Sequence, residues 1–401
     1  MTIRVLHIFA PSLKTRFSGD SIMWKSKINK WFDPHVKNYV LDFEQKRISD
    51  AKTFFNFDLP EKQRSSSRWE RFTWAFSLLR LLRRHGKEYD LLHFHVLWWG
   101  SLLAARWARK RNIPCIYESV LLDADNPGAV KEEPLGKIKL NLFRDFTGIL
   151  AISDHLAQDF LSNGFKEEQV FTLMNSVDTG LFRPVTGGLE KAEIRRRYGL
   201  PEEKKILVFV GSIIQRKGAD LLVQAFIEAG KSLPELYLLI IGPHNQRENP
   251  SLDEGFINKL HQSILDASMQ ERVYFYGLVN ERERLAELYR ASDTFVFPSR
   301  REGLGNVMLE AMACGLPVII SELPGLEKVV KDGKNGMVVP VEDKTQLAEA
   351  IIRLCNNEML LKELAEAAQK YILENHGFPQ WQKNLVAVYQ GLMIHTKAED
   401  A

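Results

Sequence analysis

The 401-residue sequence predicts an α/β protein made of two doubly wound parallel-sheet domains. Three observations lead there. Short β-rich apolar runs alternate with helical patterns along nearly the whole chain. The unit of strand, glycine-containing loop and helix occurs in both halves, and residues 180–190 (GLFRPVTGGLE) form a Pro- and Gly-containing break between them. The length suits two hydrophobic cores better than one.

Taken in order, Ile3 to Phe9 reads as a first strand, followed by a loop with Gly19 and a helix over about residues 21–32. Val36 to Phe43 is a second strand, and residues 44–67 form a polar, weakly patterned connection. Trp69 to His85 interleaves aromatic and leucine residues with Arg71, Arg80, Arg83 and Arg84, which predicts an aromatic, basic helix. Leu91 to Val96 is a strand with His93 and His95 on one face. Two histidines at that spacing can ligate a metal, but the sequence near them supplies no third ligand. Ile113 to Glu118, Gly148 to Ser153 and Phe171 to Met174 complete the first set, with Glu118, Asp123 and Asp125 at one strand exit.

The second set begins at Ile206 to Val210 and runs through Gly211, Ser212 and Gly218 into a helix from Asp220 to Ala229. Leu236 to Ile241 and Val273 to Tyr276 follow, then Thr294 to Phe297, a helix from Asn306 to Cys314 and a strand from Val318 to Ile320. These boundaries divide the chain into domains 1–185 and 186–377, with a last helix, 378–396, expected to pack back on the first domain.

Composition excludes several classes. Hydrophobic residues at 45% and charged residues at 26% mark a globular chain. The net charge of +3 gives no basis for nucleic-acid binding. Residues 1–185 carry +7 and the remainder −4, so the first half is the one suited to an anionic partner. The basic-aromatic helix and the similar stretches around Trp24 and Trp107 have two readings. They pack in the core with solvated arginines, or they contact an anionic membrane surface. Three widely spaced cysteines, no signal-peptide pattern and no spanning apolar run predict a cytoplasmic protein, associated at most with the inner face of a membrane.

The chemistry concentrates in two loops. Arg216 and Lys217 precede one helix, where cations and free backbone amides suit a diphosphate. Glu302 and Glu310 bracket Gly303, Leu304, Gly305 and Asn306, and carboxylates accept hydrogen bonds from vicinal hydroxyls. A nucleotide sugar has both parts.

In Glu302 to Ala313 (EGLGNVMLEAMA), together with Val210-Gly211, Lys217-Gly218, Phe297-Pro298-Ser299, Gly315 to Val318, Gly333 to Gly336 and Asn175 to Asp178, the chain resembles the retaining glycosyltransferases of family 4. That resemblance covers about residues 146–375 closely and the first 145 more loosely. It implies the GT-B fold, two Rossmann-like domains facing across a cleft. It also implies retaining transfer of a hexose-type sugar from a UDP-sugar to a lipid-linked or oligosaccharide acceptor in polysaccharide or glycolipid assembly. Glu302 would hold the donor sugar and Glu310 the ribose, with Lys217 and Arg216 at the diphosphate. The amides of Gly303 to Asn306 would cap the leaving phosphate, Gly277, Leu278 and Val279 would cradle the base, and Gly19 would approach the phosphates. No cofactor and no metal are expected. Ser212 stands where the family commonly has Arg, and Val120 where it often has His. Asp123, Glu118 and His95 are therefore the candidates for contacting the reacting sugar or acceptor, and a catalytically silent nucleotide-sugar-binding subunit is the alternative.

Overall fold

The structure, a computed structural model, describes residues 2–9, 27, 31, 33–42, 47–50, 68–120, 125–302 and 305–398. Gly19, most of the predicted 21–32 helix, most of the 44–67 connection, Asp123, Gly303 and Leu304 lie outside the described residues.

The chain divides into two compact units, residues 1–174 with 379–401, and residues 175–378. In the first, the strands are β1 (Ile3–Ile8), β2 (Val36–Asp42), β3 (Arg47–Asp50), β4 (Leu91–Phe94), β5 (Cys115–Ser119), β6 (Gly148–Ala151) and β7 (Val170–Thr172). Its helices are α1 (Arg68–His85), α2 (Trp99–Arg109), α3 (Pro127–Glu132), α4 (Gly136–Phe143) and α5 (Asp154–Ser162). The sheet order is β3-β2-β1-β4-β5-β6-β7, parallel except for β3, which runs antiparallel to β2. β1, β4, β5 and β6 are buried almost throughout, because helices cover a parallel sheet on both faces.

The second unit contains β8 (Lys205–Val210), β9 (Leu236–Ile241), β10 (Val273–Gly277), β11 (Thr294–Phe297), β12 (Val318–Ser321) and β13 (Met337–Val339). Between and around them run α6 (Gly188–Arg197), α7 (Ala219–Gly230), α8 (Glu254–Asp266), α9 (Arg282–Ala291), α10 (Asn306–Ala313), α11 (Lys344–Cys355) and α12 (Glu358–Asn375). All six strands are parallel in the order β10-β9-β8-β11-β12-β13. The strand order reverses direction between β8 and β11, and in the first unit between β1 and β4. Open sheets bind ligands in the crevice at such a switch point.

The domain boundary falls earlier than residue 185. Residues 175–185 pack into the second unit: Val177 N donates to His376 O at 2.9 Å, and Phe182 is fully buried against Tyr289. α6 also starts at Gly188, inside the predicted break. The last helix, α13 (Phe378–Ala398), belongs from Pro379 onward to the first unit. There Tyr389 is fully buried against His93, and Leu392 closes over Gly148.

Candidate active site

At the switch point of the second sheet, the loops leaving β8 and β11 lie side by side. Their approach depends on Gly218, which has φ +70 and immediately precedes α7; a Cβ there would lie 1.9 Å from Pro298 O. Only glycine combines that conformation with that contact. The proximity places the cations of one loop on the carboxylate of the other. Lys217 Nζ donates to Glu302 Oε1 at 2.5 Å, Arg216 Nη1 at 3.2 Å and Ser299 Oγ at 3.2 Å. The Glu302 side chain is only 8% exposed, so this ion cluster operates partly out of water. Arg216, which sequence reasoning offered in place of the arginine missing at Ser212, does reach Glu302; Ser212 itself is half-buried in the same loop.

Glu310 has a different surrounding. It sits on α10, whose start follows Gly305 at φ +74, and its buried carboxylate accepts from Arg282 Nη2 at 3.0 Å. Burial raises the Glu310 pKa above its ordinary value, and the Arg282 charge works against that rise. Asn306, at the first turn of α10, accepts from Asn175 Nδ2 at 2.9 Å through its own side-chain oxygen. At the tip of β10, Gly277 has φ +90 and its carbonyl accepts from Gly242 N, while Leu278 is exposed and Val279 half-buried.

In the first unit, a chain of buried polar side chains runs across four adjacent strands, from Asn38 on β2 to Glu118 on β5. Asn38 Oδ1 and His7 Nε2 are 2.9 Å apart, His7 Nδ1 and His95 Nε2 2.9 Å, and His95 Nδ1 and Glu118 Oε2 2.6 Å. Burial drives the His7 pKa down to about 4 and those of His93 and His95 well below the usual range, so all three rings are neutral. His95 is thus enclosed by its partners, with its side chain 3% exposed. His7, His93 and His95 are also a set whose nitrogens could share a metal ion. Their orientation disfavours it: the His93 and His95 rings stack at 4.1 Å with 26° between planes, so their in-plane lone pairs do not converge. Each also has a hydrogen-bonding partner, Tyr389 OH lying 2.7 Å from His93 Nδ1. Beside this cluster, Asp125 accepts from Ser119 Oγ and Val120 N at the end of β5.

Sequence reasoning assigned Lys217, Arg216 and Glu302 to two loops of one site, and the structure brings these side chains into contact; it missed Arg282 and His7. Arg282 lies 28 residues from Glu310 on another helix, and His7 meets His95 only through the β1–β4 register.

A pair of doubly wound units with a cation–carboxylate cluster at a switch point defines the nucleotide-ligand class of α/β proteins. Comparison with known proteins narrows the class. A family described as "Glycosyl transferases group 1" matches residues 190–371, and one described as "Glycosyl transferase 4-like domain" matches residues 43–176. The chain belongs to the group 1 glycosyltransferases and has their GT-B fold. It is 28% identical over 327 residues to D-inositol 3-phosphate glycosyltransferase 1 of Catenulispora acidiphila, covering 77% of this chain and 74% of that one. It is 24% identical over 348 residues to mannosylfructose-phosphate synthase of Agrobacterium fabrum, covering 82% and 74%. Among solved structures, Anabaena Alr3699/HepE in complex with UDP-glucose superposes with a TM-score of 0.74 at 18% identity, over 97% of this chain and 99% of that one.

Proposed function

We propose that this glycosyltransferase moves a hexose-type sugar, with retention of anomeric configuration and without a metal ion, from a UDP-sugar to an acceptor. The observation that carries the reading is the Lys217–Arg216–Glu302 cluster at the switch point of the second sheet. A nucleoside diphosphate arriving there meets two oriented cations, which stabilise charge on the departing diphosphate. Glu302 then offers its carboxylate to the sugar hydroxyls, and Glu310, fixed by Arg282, to the ribose. The UDP-glucose bound by HepE supports uridine as the base. For the acceptor, the D-inositol 3-phosphate glycosyltransferase and mannosylfructose-phosphate synthase relatives favour a hydroxyl-rich molecule.

The surface of the first unit favours a membrane-borne acceptor, as in polysaccharide or glycolipid assembly. It exposes Trp99, Leu103, Leu135 and Ile138, with Lys139 Nζ 5.4 Å above the Trp99 ring. No helix among the described residues is long and apolar enough to cross a membrane. The contact we propose is peripheral, on the cytoplasmic face.

The test is donor hydrolysis. Purified protein given a panel of nucleotide sugars, in chelator, should slowly release free sugar from one UDP-sugar, and Glu302→Ala should abolish the release. Binding of a donor without release from any would instead identify a silent nucleotide-sugar-binding subunit, the reading that Ser212 and Val120 encourage.

A further inference from the structure

Arg300, in the loop after β11, reaches across to the loop after β8 without a hydrogen bond to Lys217 or Glu302. Its guanidinium forks onto Asp220 at the first turn of α7, Nη1 to Oδ1 at 2.8 Å and Nη2 to Oδ2 at 2.9 Å. Its other edge takes Glu342, Nε to Oε1 at 2.5 Å, and Nη1 also reaches the Gln215 carbonyl. Its backbone N donates to Arg216 O at 2.8 Å. Arg216 answers in the opposite direction, its Nη1 donating to Arg301 O at 2.8 Å. Each loop therefore sends an arginine into the backbone of the other. Glu342 holds its place in a left-handed conformation, φ +68, which a residue with a side chain adopts at a cost. The Arg300 side chain is 17% exposed, so its bidentate pairing is far less diluted by water than a surface ion pair.

We propose that Arg300 is a positioning residue. It clamps the β8 and β11 loops in register so that Lys217, Arg216 and Glu302 are set before a ligand arrives, and the ligand need not order them. The inference rests on the donor-site reading for its effect on binding, but the clamp itself is a property of the unliganded protein and can be measured without a ligand.

The experiment compares wild type, Arg300→Met, Arg300→Lys and a core control, Leu354→Ala, by hydrogen exchange and by UDP titration calorimetry well below each melting temperature. Leu354 is fully buried in the second unit and away from the clamp's hydrogen bonds, so it reports general destabilisation. Arg300→Met should lose amide protection in residues 215–218 and 299–302 together, and should weaken UDP by about tenfold or more, the cost of ordering two loops on binding. Arg300→Lys keeps the charge but not the fork and should recover only part of both. Protection lost at 299–302 alone, or a UDP affinity that falls no further than in Leu354→Ala, would overturn the clamp. If wild-type protein does not bind UDP, the donor reading fails and hydrogen exchange alone decides the clamp.

Discussion

The ammonium of Lys217 and the carboxylate of Glu302 meet at 2.5 Å, although their loops leave different strands of the second sheet and the residues are 85 apart in sequence. Altering either residue of such a coupled pair changes the surroundings of the other. Glu302→Gln and Lys217→Met should each lower donor turnover by about 10²–10³-fold, the cost of losing one preorganised charge. Their double variant should fall well short of the product of the two losses. Strict multiplicativity in single-turnover kinetics would mean that the pair does not act as a unit.

The Arg282–Glu310 pair predicts a stability change with a sign. Arg282→Leu leaves a buried carboxylate without its cation and should cost about 3 kcal/mol at neutral pH. Burial already raises the folded-state pKa of Glu310 above its unfolded value. Stability from the protonated form is thus full below the unfolded pKa and lost as pH rises through the folded one. Removing Arg282 pushes the folded value higher still, so the deficit of Arg282→Leu should shrink from pH 7 to pH 5 in urea unfolding. A deficit independent of pH would assign the loss to packing against Phe182, over whose ring Arg282 lies at 4.8 Å.

Most strands and the loops after β8 and β11 were legible because parallel strands buried on both faces are continuous apolar runs, and because glycine marks the close approaches. β3 and β13 were not. Arg47–Asp50 is polar and pairs as an antiparallel edge, and Met337–Val339 is three residues long. The 185 boundary failed because Pro184 and Gly187 punctuate a turn, whereas Val177 and Phe182 decide which core the segment joins. In the site, a motif names residues within one loop, such as Glu302, but not partners brought by another element. Arg282 and His7 enter only through helix placement and strand register.

The histidine chain predicts acid sensitivity. His7 titrates at about 4 when folded and near 6.5 when free, chiefly because burial penalises the charged ring. The unfolded chain then binds the extra proton between those values, so the His7 contribution is intact above pH 6.5 and is lost as pH falls toward 4, by about 3 kcal/mol. His93 and His95 act in the same direction, with Lys27 nearby opposing their protonation and Glu118 favouring that of His7. Melting temperature followed from pH 7 to 4.5 should fall less steeply in His7→Gln than in wild type. An unchanged slope would place the acid-sensitive groups elsewhere.

The proposed membrane contact can be tested in its apolar and electrostatic parts separately. Trp99 and Leu103 lie one helical turn apart on α2 and share a face; Leu135 and Ile138 adjoin Lys139, whose ammonium lies over Trp99. Arg80, Arg83, Arg84, Arg106 and Lys137 add exposed cations on the helices of the same unit. An interfacial protein inserts such side chains at headgroup depth, and its cations are drawn by anionic lipid. Purified protein should float with vesicles of phosphatidylglycerol and phosphatidylcholine at low ionic strength, and should dissociate at about 0.5 M salt, where screening reaches a few Å. Arg106→Glu with Lys137→Glu should reduce the salt-dependent part, whereas Trp99→Ser with Ile138→Ser should weaken binding at every salt concentration. Flotation that is equal on neutral and anionic vesicles would remove the charge argument. No flotation at all would leave a water-dissolved, hydroxyl-rich acceptor as the substrate class to pursue.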